Sequence, residues 1–179
     1  MLPPLRRRFD RLERQRAELL AELARRTDAA LRYQPSPEAW STLQVIEHLV
    51  IAEESILALA ARRAPKPVPF MERLGTGVRL RALYLALASN RRFRVPLPTL
   101  NPSGAEIGLE ELQRRWTEAR WQLARALEAV TRETASARPV GHPITRWLTW
   151  QQGLDFLYRH IARHTAQIRR IEQARAAAL

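Results

Sequence analysis

Apolar residues recur at three- and four-residue steps in four long stretches of the chain, the spacing that turns one face of an α-helix toward a core. The first stretch predicts a helix from about Pro4 to Tyr33, with Leu5, Phe9, Leu12, Leu19, Leu20 and Leu23 inward, closed by Pro35 and Pro37. A second helix starts at an S-x-x-Q capping box, Ser41 and Gln44, in which each side chain accepts a backbone N–H of the other; Trp40 and Val45 flank it as a hydrophobic staple. Its inward face is Val45, Leu49, Ala52, Ile56 and Leu59, and it ends near Arg63, before Pro65, Pro67 and Pro69. A third helix, about Leu109 to Thr134, aligns Leu112, Trp116, Leu123, Leu127 and Val130. The fourth opens on a T-x-x-Q box, Thr149 and Gln152, and carries the seam Trp150, Leu154, Leu157, Ile161, His164, Ile168 and Ile171 before fraying after about Gln173.

The second and third helices are joined by a long connection holding an apolar helical piece, Val78 to Ala88, and a loop marked by Pro96, Pro98 and Pro102. Short links force neighbouring helices antiparallel, whereas a crossover of this length lets them run parallel. A turn with Pro139, Gly141 and Pro143 precedes the fourth helix, and no run of alternating residues marks a strand. The pattern predicts an all-α four-helix bundle, one domain over residues 1–179, with a long crossover between helices 2 and 3 and no internal repeat.

Composition narrows the chemistry. With 46% hydrophobic and 27% charged residues the chain is globular rather than disordered. It has no cysteine, so any metal must be held by His, Asp or Glu, and thiol chemistry needs a thiol from outside. No stretch is apolar enough to span a bilayer, and the arginine-rich start runs into a charged helix, so the expectation is a soluble, cytoplasmic protein without a membrane partner. The net charge of +12 invites a nucleic-acid reading. Lys66 is the only lysine, however, and the pairs Arg25-Arg26, Arg62-Arg63, Arg114-Arg115 and Arg169-Arg170 are spread over every helix rather than gathered on one recognition element. Solvated helix faces are the reading, with polyanion binding at low salt only and no specific nucleic-acid partner.

The histidines carry the sharper signal. His164 sits in the apolar seam of the fourth helix and His160 one turn earlier, so two imidazoles project from one face and could meet one ion at about 2.0–2.1 Å. Ile161 stands where a metalloprotease H-E-x-x-H would have its glutamate, which disfavours protease chemistry. A pair of core histidines has the same spacing, so a third ligand decides, and His48 beside Leu49 is the candidate. Gln44 lies one turn before His48 and Gln167 three residues after His164, each on its histidine's face. The remaining polar and aromatic residues read as structural: His142 as a turn residue, Glu53 and Glu54 as solvent-facing or ion-paired although Glu53 could face the bundle interior, Trp40, Trp116, Trp147 and Trp150 as core.

Three motifs in order, W-S-x-x-Q-x-x-x-H-L at Trp40 to Leu49, G-H-P at Gly141 to Pro143 and H-x-x-x-H-x-x-Q-I at His160 to Ile168, resemble the DinB/YfiT-like superfamily. The resemblance covers nearly the whole chain and implies a four-helix bundle with an up-down-down-up course. It implies His48, His160 and His164 as ligands of one divalent metal, nickel or zinc; the family settles no role for Gln44 or Gln167, which their positions place near the site, supporting a ligand or touching substrate. It further implies a homodimer acting on a small molecule. Relatives include transferases and isomerases that use bacillithiol or mycothiol, so the expected reaction is attack of a low-molecular-weight thiol, activated by the metal, on a small electrophile. Metal-dependent hydrolysis and a non-catalytic, stress-associated metal-binding or dimerisation bundle are the alternatives.

Overall fold

The computed structural model describes residues 1–62, 70–89, 98–103 and 106–178; Arg63, Pro65, Lys66, Pro67, Pro69 and Pro96 lie outside the described residues. Within the described residues, six helices and one short hairpin follow in the order α1 (Pro3–Leu23), α2 (Asp28–Arg32), α3 (Thr42–Ala61), α4 (Phe70–Ala88), a 3-10 turn (Pro98–Leu100), α5 (Leu109–Glu128), β1 (Val140–His142), β2 (Arg146–Leu148) and α6 (Trp150–Ala177). Among the described residues no helix is long and apolar enough to cross a membrane.

Both capping boxes form. Ser41 Oγ accepts from Gln44 N at 3.3 Å while Gln44 Oε1 accepts from Ser41 N at 2.8 Å, and Thr149 with Gln152 repeats the arrangement at 3.3 and 3.0 Å. Three expectations about the elements need correction. The first helix does not run to Tyr33: the chain leaves it after Leu23 and restarts at α2, where the Thr27 hydroxyl accepts from Ala30 N, a local start signal that competes with helix propagation. The third helix stops at Glu128 rather than Thr134, because Thr131 and Thr134 exchange side-chain and backbone hydrogen bonds in a turn of their own. The turn before the fourth helix contains an antiparallel hairpin in which Gly141 faces Trp147, its strands of three residues being too short to show alternation.

Inter-helix contacts fix the directions. Arg8 and Gln15 of α1, and Arg26 just beyond its end, meet Asp155, Tyr158 and Glu172 in the same order along α6, so these helices run parallel. Along α3, Glu53 and Glu54 bond to Trp116 and Arg115, and further on Leu57, Ala60 and Ala61 share a cavity wall with Ala126 and Val130, so α3 and α5 are parallel as well. Arg6 with Glu128 and Arg16 with Thr117 set α1 antiparallel to α5. This is the up-down-down-up four-helix bundle, and the crossover through α4 makes the parallel central pair possible.

The core where the four helices meet includes Leu12, Leu23, Ile46, Leu112, Trp116, Leu123, Leu154 and Ile161, all inaccessible or nearly so. Of the four tryptophans expected in the core only Trp116 is wholly buried; Trp40, Trp147 and Trp150 are half-buried. The hairpin seats the start of α6, since a Cβ on Gly153 would meet the Val140 side chain at 3.0 Å. On the other side of the hairpin, a Cβ on Gly141 would meet Leu59 of α3 at 3.1 Å, so the end of α3 lies against the hairpin that precedes α6. The two helices are therefore antiparallel, which brings the middle of α3 level with the middle of α6.

Candidate metal centre

That level is where the histidines meet. His48 of α3 and His160 and His164 of α6 are 4%, 8% and 8% exposed, and one ring nitrogen from each lies within 4.8 Å of the others. The Nε2 atoms of His48 and His160 are 3.3 Å apart and those of His160 and His164 are 3.1 Å apart. Two nitrogens bound to one ion at about 2.0–2.1 Å with a tetrahedral angle would stand about 3.3 Å apart.

The outer ring nitrogens set the tautomers. His48 Nδ1–H donates to the Leu100 carbonyl at 2.7 Å and His164 Nδ1–H donates to Gln167 Oε1 at 2.9 Å. Each bond places the proton on Nδ1 and leaves the Nε2 lone pair turned inward. His160 is oriented by stacking instead: its ring lies over Phe156 at 5.3 Å and 17°, and His142 meets the other ring edge-on at 4.5 Å. Trp40 leans on His48 at 5.1 Å.

Burial lowers the pKa of all three histidines, of His160 well below the usual imidazole value and of His164 to about 3, and the neighbouring rings push the same way for these two. The cluster is therefore neutral at pH 7. A divalent cation among the three Nε2 atoms would accept all three lone pairs, with the His160 proton on Nδ1. The donor set fits such an ion: three imidazoles, with no thiolate and no carboxylate in the group.

The other sequence-predicted residues separate clearly. Gln167 supports His164 directly. Gln44 is one turn from His48, but its side-chain oxygen accepts from Ser41 N and from Gln34 Nε2, which commits it to the cap of α3. His142 caps the hairpin turn, its Nδ1 accepting from the backbone N–H of Ile144 and Thr145, and burial lowers its pKa to about 4. Glu54 pairs with Arg115 at 2.7 Å. Glu53 is ion-paired but not solvent-facing: at 1% exposure it meets Arg120 Nε at 2.9 Å and accepts from Trp116 Nε1 at 3.0 Å.

Sequence reasoning missed Leu100, Glu47, Phe156 and Arg120. A backbone carbonyl carries no sequence signal, and a lone glutamate on a helix, as Glu47 is, carries little. Arg120 was legible in principle, since it falls in the inward stripe between Trp116 and Leu123. Two cavities, one of about 350 Å³ beside Leu57, Ala126 and Trp150 and one of about 280 Å³ beside Tyr84, Tyr158 and Arg163, are lined by none of the three histidines.

Comparison with known proteins agrees with this architecture. The chain is 28% identical over 158 residues to the uncharacterised protein YuaE of Bacillus subtilis (strain 168), covering 88% of this chain and 93% of the relative. Its fold is similar to that of Bacillus subtilis YfiT, described as a probable metal-dependent hydrolase with an unusual four-helix bundle topology, at a TM-score of 0.58 and 17% identity over 94% of this chain and 86% of that one. The family model of the DinB superfamily matches residues 11–168, and with a four-helix bundle that gathers three histidines able to bind a metal, the chain belongs to the DinB superfamily.

Proposed function

We propose that this protein is a metal-dependent enzyme in which His48, His160 and His164 hold one divalent ion, nickel or zinc, and that it transfers a low-molecular-weight thiol to a small electrophile. The observation that carries the reading is the convergence of three imidazole Nε2 atoms in one buried site. When bound, the ion would supply a Lewis acid that favours the deprotonated form of a nucleophile reaching it. The histidines add no negative charge to it, and Gln167 holds His164 in the ligating tautomer.

The choice of a thiol rests on the surroundings. Hydrolysis uses water, which needs a base or a strongly activating ion, whereas a thiol loses its proton near pH 8.5, about seven units below water. The carboxylates nearest in sequence to His48 are engaged elsewhere, Glu47 with the Ser103 backbone and Glu53 with Arg120 and Trp116. A second reading, metal-dependent hydrolysis, is favoured by the likeness in fold to YfiT.

Elemental mass spectrometry on untagged protein is the first test. We expect about one ion per chain in the wild type and none in His48→Ala, His160→Ala or His164→Ala; a wild type that stays empty after reconstitution with several metals would sink the metal reading. A chromogenic electrophile should then be consumed only with added thiol, and not by His160→Ala. Turnover of an ester without thiol would decide for hydrolysis.

A further inference from the structure

The residue beside the first histidine ligand is a buried carboxylate with a single described hydrogen bond, and that bond goes to the crossover. Glu47 is 2% exposed, and its Oε1 accepts from Ser103 N at 3.0 Å. Its neighbour His48 donates from Nδ1 to Leu100 O in the same segment, at 2.7 Å. Adjacent residues of one helix thus grip the Pro98–Ser103 segment at two points three residues apart. Burying a carboxylate costs several kcal/mol unless hydrogen bonds or charges compensate it. Arg115, whose pKa Glu47 helps to raise, supplies charge from the α5 side, and the Ser103 amide supplies the direct bond.

We propose that Glu47 is a positioning residue for the metal centre: by holding Ser103 N–H it keeps the Leu100 carbonyl over His48 Nδ1, and so locks His48 in the tautomer that presents Nε2 to the ion. The inference rests on the metal-site reading above and deepens it. The physical need is plain. An imidazole whose Nδ1–H lacks a fixed acceptor can move its proton to Nε2 and rotate, and either change removes a ligand. The acceptor here is a backbone carbonyl in a short 3-10 turn, which makes one intrinsic turn and has little stiffness of its own. The capping box of α3 fixes where His48 stands on the helix; Glu47 fixes what its outer nitrogen meets.

The test compares Glu47→Ala with Glu47→Gln, whose side-chain oxygen can still accept from Ser103 N. Zinc affinity is measured by chelator competition. In parallel, nitrogen-15 NMR of the metal-free protein reports the His48 tautomer, and hydrogen exchange reports the Ser103 amide. We expect Glu47→Ala to bind zinc at least about tenfold more weakly, to lose the pure Nδ1–H tautomer of His48 and to exchange Ser103 faster. Glu47→Gln should stay near wild type in all three. A Glu47→Ala protein with wild-type affinity and tautomer overturns the proposal. So does a folded Glu47→Gln protein as impaired as Glu47→Ala, because negative charge rather than the hydrogen bond would then be what matters; this arm decides even if Glu47→Ala does not fold. If the wild type binds neither zinc nor nickel, the metal reading falls, while the tautomer measurement still supports or overturns the role of Glu47.

Discussion

Helix α3 feeds two buried polar clusters that could hardly be less alike. At Glu53 it enters a closed cluster, in which the carboxylate faces Arg120 at 2.9 Å and Trp116 Nε1 at 3.0 Å, with Glu13 at 3.4 Å from the same guanidinium. At His48 it enters an open one, three neutral imidazoles whose Nε2 atoms converge. The closed cluster compensates its charges with ion pairs, although Glu53 Oε1 and the Arg120 guanidinium nitrogens are buried without a hydrogen bond among the described residues. The open cluster contains imidazoles only and has the donor set to be completed by a cation from outside. A buried polar group is a support when opposite charge within the chain faces it, and a candidate site when only like, uncharged ligand atoms do.

The largest effect should come from breaking the closed cluster. Arg120→Met leaves Glu53 buried without its cation, and we expect about 3–5 kcal/mol of lost stability in urea melts; Glu53→Leu in the same chain should restore most of it. The open cluster should behave in the opposite way. In metal-free protein His48→Ala should cost far less than Arg120→Met, because it leaves no buried charge unpaired. Comparable losses at the two sites would break the distinction.

Metal should sharpen it. Zinc at a hundred times its dissociation constant should stabilise the wild type by about 2.7 kcal/mol, reversed by chelator. The increment should survive in Arg120→Met and vanish in His164→Ala, read as the shift in Tm.

Acid tests the neutral state of the buried histidines. His142 has its folded pKa at about 4, below the unfolded value near 6.5, so the unfolded chain binds the proton first as pH falls. Its contribution is complete above pH 6.5 and is lost between there and about pH 4, at up to about 1.4 kcal/mol per pH unit. The three clustered histidines are lowered too and act with the same sign. Urea melts of metal-free protein should therefore weaken from pH 7 to 5.5, and His142→Asn should flatten part of that slope. The smallest effect lies outside both clusters: Arg146 holds a φ of 64°, and Arg146→Gly should gain less than about 1 kcal/mol, relief of left-handed strain being offset by the freedom glycine has when unfolded.

What was legible in the sequence was local. The S-x-x-Q and T-x-x-Q starts of α3 and α6 are satisfied within four residues, and no tertiary contact is needed to read them. The same holds for the four-residue step from His160 to His164, which the helix pitch alone converts into a shared face. What was illegible depended on partners far along the chain. Glu53 had no visible reason to be buried until α5 brought Arg120 and Trp116 beside it. The hairpin at β1 and β2 escaped notice because three residues cannot show a period.

The sequence by itself determined where the major helices begin, which face of each is apolar, and that any metal here must be held by histidine or carboxylate, because helix capping, helix pitch and the absence of cysteine act residue by residue. Tertiary structure alone decided that His48 meets His160 and His164, that the Leu100 carbonyl sets its tautomer, and that Glu47 and Glu53 are buried. The reason is physical: those outcomes depend on the direction and level of helices joined by a long crossover, which are set by how the whole core packs and not by any segment of it.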